Sequence, residues 1–231
     1  MPAAERYAIP PALPNPAGFA VSEALAIILG YCLGSAPWGY WLPRAFKGVD
    51  VRRVGSGNIG AANVWRLFGL RWGIAVAALD VGKGLGAALL GAALAGETGG
   101  VLAGIAALAG HWRPLFLRFA RGGKIVATTA GVTLALAPFA ALAASGVWIV
   151  VFVVGRYSSL ASLTAAAALP PLAFAFGADW PVLAFTIGAT AAIVVLHRTN
   201  IRRLFAGTEN RFRLSRRPPL TRGARALSSQ E

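Results

Sequence analysis

The sequence predicts an all-α integral membrane protein of about seven transmembrane helices, with its N-terminus outside and its C-terminus in the cytoplasm. Two observations carry this. Hydrophobic residues make up 57% of the 231, and charged residues only 13%, about half the charged share of an ordinary soluble domain. The 22 Lys and Arg are also clustered: six fall in 44–71, four in 113–124 and nine in 198–231. Basic loops between apolar runs of about 20 residues mark the cytoplasmic side of a polytopic membrane protein. The same clustering makes the net charge of +14 a property of membrane loops, so no nucleic-acid partner is expected. The single cysteine, Cys32, excludes an internal disulfide and any multi-cysteine metal site.

The elements follow in chain order. Residues 1–19 hold five prolines and read as an irregular external arm. No basic stretch precedes a short apolar one, so no cleaved signal peptide is expected. The first span covers 20–43, the second 72–96 and the third 99–118. Residues 125–155 run without a charge, too long for one span, with Pro138 near the middle. They read as two short helices, about 124–138 and 139–156, broken at or after Pro138. The last spans cover 158–177 and 180–197.

Sidedness demands that break. The loops 44–71 and 112–124 and the segment after 198 are basic, hence cytoplasmic, whereas the connections near Glu97 and Asp179 lack Lys and Arg. These sides alternate only if 125–155 crosses twice. Residues 20–210 then form one catalytic membrane domain. Residues 211–231 form a basic cytoplasmic tail, read as disordered and drawn to anionic lipid.

Five groups of residues suggest chemistry. The first is Gly55-Ser56-Gly57-Asn58-Ile59-Gly60, followed by Asn63. It matches G-x-G-x-x-G, but the preceding Val49–Val54 is charged and no βαβ unit follows, so a dinucleotide fold is excluded. Small residues before a helix start can cradle a phosphate on backbone N–H groups. A plain glycine-rich reverse turn is the alternative. The second is Asp80 and Lys83, three apart inside the second span. Intramembrane charges are costly and usually functional, but the two can also be a structural ion pair.

The third group is Gly110-His111-Trp112-Arg113 with Arg121-Gly122-Gly123-Lys124. Lys124 stands where a helix opens, placed to hold an anion, while His111 is a base, a donor or a capped interface histidine. It is not a P-loop, for residue 118 is not glycine. The fourth is Ser158 and Ser159, either helix caps or substrate ligands. The fifth is His197 and Asn200, three apart at the end of the last span, with Glu209 beyond. Under one topology all five fall on the cytoplasmic side. Cations, amides and small-residue loops converge there with few acids, which suits a phosphate-rich substrate, one with a hydrocarbon tail lodged between the helices.

The blocks Gly34–Tyr40, GSGNIGAANVWR at 55–66, DVGKG at 80–84, GHWRPLFLRFARGGK at 110–124, YSSL at 157–160 and HRTNIRRLFAGTE at 197–209 resemble, in order, the bacterial PlsY family of membrane glycerol-3-phosphate acyltransferases. The resemblance covers residues 30–210. It implies transfer of an acyl group from acyl phosphate to the 1-hydroxyl of sn-glycerol 3-phosphate. The products would be lysophosphatidic acid and inorganic phosphate, the first acylation step of phospholipid synthesis at the bacterial inner membrane. No cofactor, metal, thioester donor or obligate protein partner is implied. The H-x₄-D block of thioester-dependent acyltransferases is absent, with Phe116 and Arg202 where the acid would stand.

On this reading Ser35, Arg52, Lys124, His197 and Asn200 are the candidate catalytic residues. Gly55, Ser56, Gly57, Asn58, Asn63, Lys83, His111, Ser158, Ser159 and Glu209 are the candidate substrate ligands. One departure stands out: the family usually reads GGKG, and this chain has Ile125 in place of the last glycine. If that position needs a positive φ, the third loop is rearranged. The alternative function is a transporter of a phosphorylated solute, although the chain shows no inverted repeat.

Overall fold

The computed structural model describes residues 16–212, whose regular elements are all helical. Residues 1–15 and 213–231 lie outside the described part, and with them most of the expected arm and tail. The helices are α1 (Pro16–Gly34), α2 (Trp38–Lys47), α3 (Ala61–Phe68), α4 (Leu70–Trp112), α5 (Val126–Leu136), α6 (Pro138–Gly155), α7 (Ser158–Ala175), α8 (Trp180–Leu196) and α9 (Arg198–Phe205).

Helix α4 is a hairpin rather than one rod. Gly96 adopts φ +62° and ψ −159°, and Ala95 is also non-helical. The two limbs then fold back, so that a Cβ on Gly91 or Gly99 would collide with the other's carbonyl oxygen. The limbs correspond to the expected spans 72–96 and 99–118. Glycines let α1 and α5 approach as closely: Gly30 and Gly34 meet the backbone of Ala103 and Ala107, and Gly84 and Gly131 meet Thr128 and Val81. Without water between helices, such small-residue contacts replace hydrophobic collapse.

The break in 125–155 lies at Ala137 (φ −146°, ψ 73°), and Pro138 is the first residue of α6. Proline's fixed φ and missing N–H suit the first helical position, where that N–H would have no partner. Two expected spans come out shorter. The helix expected over 20–43 ends at Gly34, and the amphipathic α2 follows after Pro37. The helix expected to reach 118 stops at Trp112.

By length and apolar composition, four helical stretches among the described residues can cross a membrane, or five if α8 and α9 count as one span bent by 60°. That count takes the two limbs of α4 as one stretch and leaves out α5, which has 11 residues. At 1.5 Å per residue, α5 reaches about half of a 30 Å hydrocarbon core.

Large apolar side chains point outward, among them Val154, Phe174 and Ile149, while alanines fill much of the interior. This inside-out distribution is that of a protein solvated by lipid. The main core runs from the α4 limbs through Val132 of α5 to Val182, Phe185 and Ile193 of α8. A second core of Val51, Ile59, Val64 and Val76 anchors the loop before α3 onto α4.

Candidate active site

One cavity of about 840 Å³ opens where the α2–α3 loop, the loop after α4, the start of α7 and α9 meet. Twelve of the fifteen candidate residues line it, all but Ser35, Arg52 and Lys83.

The α2–α3 loop is built by Asn63. Its Oδ1 accepts from the N–H of Ser56 at 2.9 Å, and its Nδ2 donates to the carbonyls of Asn58 (2.9 Å), Val51 and Val54 (both 3.3 Å). The Oδ1 of Asn58 accepts from the N–H of Gly60 at 2.7 Å. Gly55 and Gly57 turn with φ of +63° and +67°. Asn63 borders the cavity, but its amide is fully engaged in the loop. It shapes the Gly55–Gly57 wall of the cavity.

The loop after α4 is pinned by two backbone bonds. The N–H of Gly122 donates to Trp112 O (2.8 Å), and that of Gly123 to His111 O (3.0 Å). Only glycine fits at 123, since a Cβ would strike His111 Nε2. Ile125 then adopts φ +59° and ψ −8°, with its side chain buried. The loop therefore keeps a left-handed turn even with a β-branched residue there, at about 1–3 kcal/mol of local strain. Position 125 does take the positive φ considered from the sequence.

Lys124 is thereby aimed at α9 and donates to Asn200 Oδ1. Asn200 Nδ2 donates to Glu209 Oε1 at 2.8 Å, as does Ser159 Oγ at 3.0 Å, and Arg203 Nε donates to Oε2 at 2.7 Å. Burial pushes the Lys124 ammonium down to about 8; Glu209 opposes this, while Arg203, Arg121 and Arg66 reinforce it. Burial would raise the Glu209 carboxyl, but hydrogen bonds from Arg203, Asn200 and Ser159 outweigh it and hold it below the usual carboxylate range. Glu209 thus ties α7 to α9 and orients Asn200. His197 caps α8 at the bend, and its Nδ1 donates to Ile193 O at 2.8 Å. That leaves Nε2 as an acceptor for the cavity.

Three candidates lie off the cavity lining. Lys83 Nζ reaches Asp80 Oδ1 (2.9 Å), His111 Nδ1 (2.7 Å) and Ala36 O (2.8 Å). One ion pair and two hydrogen bonds hold its ammonium, so it joins both limbs of α4 to the α1–α2 corner, off the cavity lining. The same contact makes Nδ1 of His111 an acceptor and places its proton on Nε2. Arg52 forms a fork with Asp50 (2.9 and 2.6 Å) and lies over the Tyr40 ring at 4.5 Å. Ser35 is fully buried, its Oγ without a partner among the described residues, beside Gly110.

Arg66, Arg121 and Arg203 also line the cavity; they stand in the chemistry-bearing blocks but were not among the candidate site residues. The spacing held a signal for two of them. Arg66 follows Asn63 by three on α3, and Arg203 follows Asn200 by three on α9, each on the same helix face. Beyond this cationic end the cavity extends as an apolar arm lined by Ala130, Ala141, Ala144, Trp148, Ala165 and Leu169. The geometry can hold phosphate-bearing groups at one end and a hydrocarbon tail in the other. No set of three or more His, Cys, Asp or Glu that could hold a metal exists among the described residues.

A profile of the family described as glycerol-3-phosphate acyltransferase matches residues 24–207. The glycerol-3-phosphate acyltransferase of Desulforudis audaxviator (strain MP104C) is 47% identical over 194 residues, covering 84% of this chain and 97% of its own. Glycerol-3-phosphate acyltransferase 2 of Moorella thermoacetica (strain ATCC 39073 / JCM 9320) is 45% identical, covering 81% and 96%. Two crystal structures of PlsY, described as an integral membrane glycerol 3-phosphate acyltransferase, have the same fold. The glycerol 3-phosphate form gives a TM-score of 0.79 at 41% identity, covering 83% of this chain and 96% of that one. The lysophosphatidic acid form gives 0.77 at 40%, with the same coverage. With the profile spanning most of the chain and relatives this similar over nearly their whole length, the chain belongs to the glycerol-3-phosphate acyltransferase family.

Proposed function

We propose that the protein transfers a fatty acyl group from acyl phosphate to the sn-1 hydroxyl of glycerol 3-phosphate, releasing lysophosphatidic acid and inorganic phosphate. The observation that supports this best is the two-ended cavity: cations and amides at one end, an apolar arm at the other. A mixed anhydride carries its own good leaving group, so the reaction needs alignment and charge stabilisation more than a protein nucleophile. Lys124 and Asn200 hold the phosphate of glycerol 3-phosphate. His197 Nε2 accepts a hydrogen bond from the 1-hydroxyl and orients it. The hydroxyl oxygen bonds to the acyl carbon, the bond from that carbon to the phosphate oxygen breaks, and the departing phosphate takes the proton.

We place the protein in the bacterial inner membrane, with seven crossings and the cavity open to the cytoplasm. The Lys/Arg bias of the loops and the helicity of all seven expected apolar segments support this. The test of the activity is purified protein in lipid, supplied with acyl phosphate and glycerol 3-phosphate and followed for phosphate release. Absence of turnover, or comparable turnover with acyl-CoA, refutes the donor.

A further inference from the structure

Among the cations lining the cavity, Lys124 is tied to Asn200 and Arg203 to Glu209. Arg121 is exposed to water, and Arg66 is tied to neither Asn200 nor Glu209. Its side chain has no hydrogen bond or ion pair among the described residues, and its Nε is enclosed without a partner. The guanidinium instead lies over the ring of Phe212, 4.3 Å from its centroid.

Phe212 is itself held firmly. Its N–H donates to Arg156 O (2.8 Å) at the α6–α7 turn, and its ring is buried against Trp65 (4.7 Å) and Phe152 (5.2 Å). Phe152 in turn stacks on Trp148 at 4.9 Å. Trp65 and Trp148 line the cavity where its cationic end gives way to the apolar arm. Arg66 is half-buried and makes no direct ion pair among the described residues, so part of its charge is left for a ligand to meet. Held flat on an aromatic face, the guanidinium presents a fixed fork of donors to an anion.

We propose that Arg66 binds the phosphate of the acyl donor and that Phe212 is its positioning residue. This rests on acyl phosphate being the donor. The setting of Arg66 favours the acyl donor. Arg66 lies on the ring of Phe212, which packs on Trp65 and Phe152, and Trp65 and Trp148 line the cavity as an aromatic wall that a hydrocarbon tail can engage. Glycerol 3-phosphate has no tail to engage that wall, and the Lys124–Asn200 end suits it.

The test compares KM for each substrate in lipid-reconstituted wild type, Arg66→Met, Phe212→Leu, Phe212→Tyr and the Arg66→Met/Phe212→Leu double variant, with folded yield measured by size exclusion. Arg66→Met is expected to raise KM for acyl phosphate on the order of 10- to 100-fold. Phe212→Leu keeps apolar bulk but loses the ring face, and is expected to raise the same KM about 5-fold. Phe212→Tyr keeps the face and should stay within about 2-fold by the same argument. KM for glycerol 3-phosphate should change far less than that for acyl phosphate, and Phe212→Leu should add nothing once Arg66 is gone. An equal Phe212→Leu effect in both backgrounds, or a rise in KM for glycerol 3-phosphate instead, overturns the assignment while the donor stands. Absence of wild-type turnover with acyl phosphate removes the donor and the assignment together.

Discussion

Replacing Lys124 with alanine tests the centre of the cavity. Lys124 is half-buried, donates to Asn200 and has Arg66, Arg121 and Arg203 as charged neighbours. Charge-assisted contact with a phosphate in such a site is worth about 2–5 kcal/mol, or about 30- to 4000-fold in kcat/KM for glycerol 3-phosphate. Folded yield should remain near wild type, since the lysine stands in a loop and supports no apolar core.

The pH profile sharpens the test. With its ammonium at about 8, Lys124 is charged below that pH and loses its charge above it. The kcat/KM profile reports the free enzyme, so it should fall on the alkaline side from about pH 8. Lys124→Arg, which stays charged, should lose that limb even if its maximum is lower.

Stability should move the other way. A folded value below the ordinary 10.5 means that between about 8 and 10.5 the unfolded chain binds more protons than the folded one. This residue's contribution therefore makes the fold more stable as pH rises through that window. Alkaline activity loss accompanied by unfolding would not be the effect described. An alanine variant within a few-fold of wild type, or an arginine variant with the same alkaline limb, refutes the role given to Lys124.

Four other outcomes are expected. Glu209→Gln should lower the Tm in detergent by the equivalent of about 1–2 kcal/mol, because Glu209 is buried and loses a charge-assisted bond while Arg203 keeps contact with water; an unchanged Tm would show that Glu209 does not tie α7 to α9. Ile125→Gly should relieve about 1–3 kcal/mol of backbone strain but lose about 2–5 kcal/mol of buried side chain. The net result is a modestly lower Tm with kcat/KM within a few-fold, and a large activity change would show that Ile125 sets the loop. Phosphate release should be seen with acyl phosphate and not with acyl-CoA, and equal rates would sink the donor assignment. Cysteines at 55, 121 and 157 should label from the cytoplasm and those at 97 and 179 from outside, whereas labelling of 157 from outside would mean that 125–155 crosses once.

Much of the architecture was legible because single residues dictate it. Pro138 marks the break between α5 and α6, and the clustered cations mark the loops that form the cavity. The hairpin in α4 was legible as two apolar runs, although the turn itself rests on Gly96. What could not be read was how each polar group satisfies its hydrogen bonds. Arg52 has its partner two residues back in Asp50, yet nothing local says the pair turns away from the cavity. Lys83 shows its pairing with Asp80 in the sequence, but its contacts with Ala36 and His111 exist only once three helices have met. Asn63 looks like a ligand because its four loop partners are visible only in the folded turn. Ile125 was a doubtful residue for its place, and the packing around it decided the backbone.

The three-way grip of Lys83 has a consequence for how the chain enters the bilayer. As synthesis proceeds, the first limb of α4 reaches the insertion machinery carrying Asp80 and Lys83 near its middle, each of which resists entry into hydrocarbon by roughly 2.5–3.5 kcal/mol on insertion scales. Asp80 is already at hand and so is Ala36, but His111 follows Lys83 by 28 residues and has yet to emerge. The limb is therefore a poor membrane segment alone and becomes a good one when its successor arrives and the hairpin closes at Gly96. Reporter fusions ending at residue 96 should insert less completely than fusions ending at residue 112. Entry into the membrane is in this sense a paired event, and the lysine that holds the finished hairpin also sets the order in which its halves leave water.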